Sequence, residues 1–387
     1  MSPAGAAAPP PGRWQVAGAS AHGAAHVREG LPNQDAIATW TPGADAGAIA
    51  IVAVADGHGG ARHFRSAIGA GIAVQATVEA LRTLAPRLDA GDAPERSRIA
   101  AVDVPTRIVA AWSEGVRRHL AAAPLTEAEL RAVEAAEGRA AREAVAADPQ
   151  LAYGATLLGA AAAGGCALLA QLGDGDILAV APDGTTSRPL PADERLIGNR
   201  TTSLCQPGAA GDFRTLVVDT DRAPVALLVL ATDGYANSFR ADAGFLQVGG
   251  DLLRMLGESG IAAVREALPG FLADASANGS GDDVTVGLLA RADPRPAGAP
   301  QPETSLTWDE PAAPPPPAAP RRRASRTAWI AALIVAAAAI GWTAREVFRE
   351  SAPPNAAAGE PRPVGGAYRP ADPNAAKAPK ARPRQPQ

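Results

Sequence analysis

Residues 50–60 read Ala-Ile-Val-Ala-Val-Ala-Asp-Gly-His-Gly-Gly, and no other stretch narrows the possible folds of the chain as much. An unbroken run of small apolar residues with β-branched ones among them predicts a buried strand. The run ends abruptly in a carboxylate, a glycine, a histidine and two more glycines, where the backbone must turn tightly. A buried strand that delivers Asp56 and His58 at its tip, with bare backbone beside them, suits a metal or phosphate site. Asp-Gly is equally a common turn dipeptide, so by itself the stretch fits a plain turn as well.

The rest of the chain supplies context. Its 387 residues allow one large domain, or two ordinary ones, plus tails. Apolar residues make up 47% but aromatics only 4%, so the core must be built from Ala, Val, Leu and Ile. Net charge is −4 with no dominating basic face, which argues against nucleic acid as a partner. Cys166 and Cys205 lack CxxC spacing, so neither a disulfide framework nor a zinc site is expected, and a reducing compartment fits. Residues 1–12 are Ala/Pro-rich without an apolar core, which predicts disorder rather than a signal peptide.

From residue 13 to about 292 the pattern predicts one folded domain. Strands are expected at 14–19, 36–40 and 50–55, then a helical block at 62–84, 105–120 and 126–147 with apolar residues three and four apart. Thr126 followed by Glu129 forms a capping-box pattern, and the charges of 126–147 predict a solvated helix face. Further strands are expected at 155–162, 166–172, 177–181, 215–219 and 225–232, helices at 250–256 and 260–274, and a closing strand at 283–290. Strands in series with helices grouped between them indicate antiparallel sheets with helices outside, an α+β class.

Residues 293–326 predict a Pro/Ala-rich linker ending in a basic cluster, Arg321, Arg322, Arg323 and Arg326. Residues 327–344 carry no charge and are bracketed by Trp329 and Trp342. As a helix they would span roughly 27 Å, just enough for a ~30 Å hydrocarbon core, so a single transmembrane helix is expected. A soluble Ala-rich helix is the plainer alternative. The arginines before the run put that side, and the domain before it, in the cytoplasm, although Arg345 and Arg349 follow on the far side. Residues 345–387 predict a disordered Pro/Ala-rich tail.

Four more strand ends carry acids in the setting of Asp56. Asp35 precedes an early strand, Asp174 follows the run 168–172, Asp233 ends the run 226–231, and Asp282-Asp283 begins the run 284–289. Five acid-bearing strand ends suggest carboxylates gathered on one edge of a sheet system. Crowded carboxylates repel unless a cation neutralises them. Hard oxygen donors without cysteine favour Mg²⁺ or Mn²⁺ over Zn²⁺, and a pair of such ions fits attack of water on phosphorus.

These motifs resemble, in order, those of the type 2C metal-dependent Ser/Thr protein phosphatases: Asn33-Gln34-Asp35-Ala36, Asp56-Gly57-His58-Gly59-Gly60, Tyr153-Gly154-Ala155-Thr156, Gly173-Asp174, Ala231-Thr232-Asp233-Gly234 and Gly281-Asp282-Asp283-Val284-Thr285-Val286. The resemblance covers about residues 13–291. It implies a four-layer α-β-β-α sandwich of two antiparallel sheets flanked by helices. It also implies two Mn²⁺ or Mg²⁺ ions, with a third in some bacterial members. Asp56 would bridge two metals and the carbonyl of Gly57 would bind the second. Asp233 and Asp282 would complete the first metal's carboxylates, Asp35 would hold water ligands of the second, and Asp174 matches the third-ion acid. The water bridging the metals would attack phosphorus, and His58 would protonate the leaving oxygen of serine or threonine.

Two departures from the pattern stand out. Arg28, seven residues before Asp35 and separated from Asn33 by Glu29-Gly30-Leu31-Pro32, is the candidate for the substrate phosphate. Gln34 replaces a usual glutamate. His22, His26, His63 and His119 are expected to be structural or solvated, with His22 and His26 near enough in sequence to keep open. Residues 196–206 occupy the place of a mobile flap, or else form a surface hairpin without function. Phosphorylated Ser/Thr proteins, an opposing Ser/Thr kinase and the membrane are the implied partners. An inactive or regulatory homologue that binds phosphoproteins or a kinase is the alternative, although Asp56, Asp233 and Asp282 are all present.

Overall fold

The computed structural model describes residues 13–292 apart from 44–47, 164, 197–200 and 221. The run 327–344 lies outside the described residues; among these, no helix is long and apolar enough to cross a membrane.

Among the described residues ten strands and eight α-helices follow in order: β1 (Trp14–Ala21), α1 (Ala24–Glu29), β2 (Ala36–Trp40), β3 (Ile49–Ala55), α2 (Ser66–Ala90), α3 (Ala93–Arg98), α4 (Val104–Ala122), α5 (Glu127–Glu137) and α6 (Arg139–Ala147). Then come β4 (Leu157–Ala163), β5 (Cys166–Leu172), β6 (Asp176–Val180), β7 (Thr186–Ser187), β8 (Arg214–Asp219), β9 (Leu227–Ala231), α7 (Asp233–Ala236), α8 (Asp242–Asn278) and β10 (Val284–Arg291). They form two five-stranded sheets, ordered β1-β10-β9-β6-β7 and β2-β3-β4-β5-β8, with every pairing antiparallel as expected.

The sheets stack face to face, and the side chains of β3 show how. Ala50, Val52 and Val54 join a core with Leu158, Leu169, Leu228, Leu230 and Leu289, which come from both sheets. Ile51, Ala53 and Ala55 face the other way, into a second core with Leu81, Leu84, Ile108 and Trp112 of α2 and α4. A third core packs α8, through Phe245, Leu268 and Leu272, against the outer face of the first sheet. A strand buried on both faces cannot alternate polar and apolar residues, which explains the unbroken apolar run. Side chains as small as these let the sheets come close: a Cβ on Gly287 would stand 2.4 Å from Val52 Cγ2.

Two helices depart from expectation. The stretch 126–147 is two helices rather than one, because Gly138 adopts φ 88° between α5 and α6. The capping box is present: Thr126 Oγ1 accepts from Glu129 N–H at 3.2 Å and Glu129 Oε2 accepts from Thr126 N–H at 2.7 Å. Yet the face is not merely solvated. Glu129 also binds the buried Arg65 at Nε and Nη2, both at 3.0 Å. The helix expected from residue 62 starts at Ser66, after a 3-10 turn over Ala61–His63. The pair expected at 250–256 and 260–274 is one segment, α8, interrupted at Gly260 with φ 76°.

Candidate active site

Register places the expected acids at one end of the stack. Ala55, the last residue of β3, pairs with Ala36, the first of β2, while Leu157 of β4 faces Leu172 of β5. In the other sheet Ala231, the last residue of β9, pairs with both Asp176 and Val286. Asp35, Asp56, Asp174, Asp233 and Asp282 each lie one or two residues beyond these ends. Two of them mark places where the chain passes between the sheets. Asp35 lies between β1 and β2, and Asp174 lies between β5 and β6, after Gly173 at φ 99°.

The tip of β3 is held by backbone. Gly57 N–H donates to Gln34 O at 3.1 Å, His58 N–H to Gly154 O at 3.1 Å, and Thr156 N–H to Asp56 O at 2.8 Å. A Cβ on Gly57 would lie 2.7 Å from Gln34 O and 2.8 Å from Ser66 O, so only glycine fits there. The Gln34 that stands where glutamate was expected donates from Nε2 to Ser66 Oγ at 2.8 Å and to His58 O at 3.4 Å. It braces the turn as a neutral donor.

Asp56, Asp174, Asp233 and Asp282 line a cleft of about 920 Å³ with Gly57 and His58. Burial, then the charges of Asp35 and Asp233, push the Asp56 carboxyl well above the ordinary carboxylate range, and Asp56 and Asp233 are in hydrogen-bonding contact. Burial and the charge of Asp174 raise Asp233. Burial raises Asp35 to about 7, against the lowering effect of hydroxyl bonds from Thr285 and Thr232. Thr232 Oγ1 donates to Asp35 Oδ2 at 2.7 Å. Asp35 thus stands beside the cluster but does not line the cleft. A crowded, partly buried set of mutually repelling carboxylates is a fitting donor set for hard divalent cations.

His58 lines the cleft, but burial and the neighbouring His63 push its pKa down to about 4. At neutral pH the imidazole is uncharged. Its ring centroid lies 5.0 Å from that of His63. His63 Nδ1 bonds Leu151 O at 2.5 Å, and the ring lines the cleft, where a structural role was expected. Gly154 makes room for both imidazoles: its Cβ would stand 2.7 Å from His58 Cδ2 and from His63 Nδ1.

Arg28 does not join this group; it is exposed on α1 and absent from the cleft wall. His26, from the same helix, does reach it. Its Nε2 lies 3.4 Å from Asp282 Oδ1 and its Nδ1 3.0 Å from Asp283 Oδ2. His22 bonds only Leu31 O, at 2.8 Å, and His119 bonds the Tyr153 hydroxyl at 2.8 Å, both structural. Asp283 is 3% exposed and accepts from Gly23 N–H at 2.6 Å and Gln34 N–H at 2.7 Å, so it fastens the segment before β2 to the start of β10.

Sequence reasoning missed Arg62, Arg195 and Asp212 in the cleft wall, since nothing in their local pattern marks them. Within 196–206, the described Thr201, Thr202, Ser203 and Cys205 line the cleft, so the segment stands at the site. Thr202 Oγ1 accepts from Gly173 N–H at 2.8 Å, tying it to the turn that carries Asp174.

The family model for protein phosphatase 2C matches residues 22–273, more than half of the chain. Among solved structures the chain is similar to the catalytic domain of the serine/threonine protein phosphatase PstP in complex with two manganese ions. The identity is 18% and the TM-score 0.42, covering 73% of this chain and 99% of that one. It is also similar to the Mycobacterium tuberculosis phosphatase PstP/Ppp, with 18% identity, TM-score 0.41 and coverage of 72% and 99%. The S. agalactiae serine/threonine phosphatase gives 18%, 0.43, 72% and 99%. No curated protein sequence matches significantly. With six motifs in order and a family match over residues 22–273, the chain belongs to the protein phosphatase 2C family.

Proposed function

We propose that the chain is a metal-dependent phosphatase of phosphoserine and phosphothreonine in proteins, tethered to a membrane with its catalytic domain on the cytoplasmic side. The observation that carries this reading is the crowding of Asp56, Asp233 and Asp282 beside His58 at the common end of both sheets. Asp56, the Gly57 carbonyl, Asp233 and Asp282 would hold two ions, Asp35 would act through water, and Asp174 would serve a third. Manganese or magnesium fits these oxygen donors, and the PstP catalytic domain is a manganese complex. When bound, such ions supply the Lewis acidity that activates water and offsets the charge of a phosphoryl group.

The chain's own groups do the rest. The bonds at Gly57, His58 and Thr156 hold the turn rigid, so that the acids and the imidazole keep their spacing without reorganising. His58 is neutral in the free cleft, and a phosphate dianion beside it raises its affinity for a proton. The substrate would thereby charge the group that protonates its own leaving oxygen. The purified chain should hydrolyse p-nitrophenyl phosphate and a phosphothreonine peptide with Mn²⁺ and lose both activities in EDTA. Inactivity across Mn²⁺ and Mg²⁺ titrations would count for an inactive, phosphoprotein-binding homologue instead.

Membrane attachment rests on the uncharged run 327–344, its bracketing Trp329 and Trp342, and the four arginines before it. Residues 13–292 would be the catalytic domain, 293–326 a linker and 345–387 a tail beyond the membrane, with a Ser/Thr kinase writing the opposing signal. Deleting 327–344 should move the protein from the membrane fraction to the supernatant; unchanged fractionation would refute the tether.

A further inference from the structure

With Arg28 outside the cleft, the cations that face a substrate must come from elsewhere. Among the described residues two arginines reach the wall, Arg62 and Arg195. Arg195 is tied to two acidic residues through all three of its nitrogens. Its Nε and Nη2 donate to Asp193 at 2.9 and 2.7 Å, Nη1 to the Asp212 carboxylate, and Nη2 also to Asp212 O at 3.3 Å.

Arg62 is held differently. Glu137 Oε1 accepts its backbone N–H at 2.9 Å and Oε2 accepts Nε–H at 2.6 Å. Neither Nη1 nor Nη2 is hydrogen-bonded among the described residues, and the side chain is 46% exposed. One carboxylate therefore fixes the stem of the guanidinium and leaves its two terminal amino groups open at the cleft. Arg62 shares the cleft wall with His58 and His63, and its charge bears on His63. A half-exposed cation four residues past His58 can meet a part of the substrate beside the reacting phosphoryl group. A planar fork with two open amino groups suits a carboxylate.

We propose that Arg62 determines specificity by binding the carboxylate of an acidic side chain that flanks the phosphoserine or phosphothreonine. This rests on the phosphatase reading above. The test uses the Mn²⁺-loaded full chain and phosphothreonine peptides differing only by glutamate or glutamine on either side of the phosphoresidue. The wild type should favour a glutamate peptide by about fivefold in kcat/KM, carried in KM, the scale of a partly exposed ion pair. The preference should shrink as salt rises. Arg62→Met should bring the ratio close to one, and Arg62→Lys should keep part of it. A loss of folded enzyme lowers both rates alike and leaves the ratio unmoved. Equal cleavage of the peptides by the wild type, or a preference that survives Arg62→Met, overturns the assignment while leaving the phosphatase reading intact. A wild type that cleaves neither peptide nor p-nitrophenyl phosphate overturns both.

Discussion

Asp282 and Asp283 are neighbours in sequence and opposites in environment. Asp282 is 47% exposed in the cleft, whereas Asp283 is buried and saturated by N–H donors. One is free to serve a cation and the other is a structural tie, and no local pattern separates them. The same limit applies to Arg62 and His63, which reach the cleft because α5 and the segment before β4 pack against their turn. By contrast, Asp56-Gly57-His58-Gly59-Gly60 was legible, because a buried apolar run precedes it and four other strand ends carry acids like it. At this scale the decisive variant is Asp56→Asn. It removes a metal donor and should lower turnover at least ~100-fold, beyond the loss seen when only a supporting partner of a ligand is changed. Because it also relieves repulsion among buried acids, the metal-free variant should melt a few degrees above the wild type. Thermal unfolding in EDTA, alongside activity in Mn²⁺, checks both halves; wild-type turnover would refute the role of Asp56.

At the scale of elements, every strand but the two-residue β7 was legible and some of the helices were not. β3, β4 and β5 carry side chains buried toward both layers, so their apolar runs have no competing reading as surface helices. α1 escaped notice because it has six residues and none of them is buried, leaving no periodicity to detect. It nevertheless carries His26 to Asp282 and leaves Arg28 outside. The break at Gly138 shows a different limit. The helical pattern runs through it, and a single residue at φ 88° redirects the chain. That break ends α5 at Glu137, where its carboxylate meets the backbone and side chain of Arg62.

For the whole molecule, the acids set a dependence of stability on pH. Asp35 titrates near 7 in the fold against 3.8 as an ordinary carboxyl, so its contribution is full below about pH 4 and is lost as pH rises toward and through 7. His58 works the other way, since its lowered value penalises the fold at low pH and that penalty is relieved as pH rises from about 4 to 6.5. Above 6.5 the imidazole is neutral in both folded and unfolded chains and the acids act alone. The metal-free protein should therefore lose thermal stability from pH 6.5 to 8. Mn²⁺ should raise the melting temperature more at pH 8 than at 6.5, because ligands bind once deprotonated. A metal-free melting temperature that climbs across this window would contradict the assignment.

The origin of those acids has a further consequence. Asp35 and Asp56 adjoin strands of one sheet, Asp233 and Asp282 adjoin strands of the other, and Asp174 lies on the crossing between them. Neither sheet alone contains a complete centre. Any event that slides or parts the two layers dismantles the chemistry before a single strand has melted, so catalytic competence is a direct gauge of how the halves are docked.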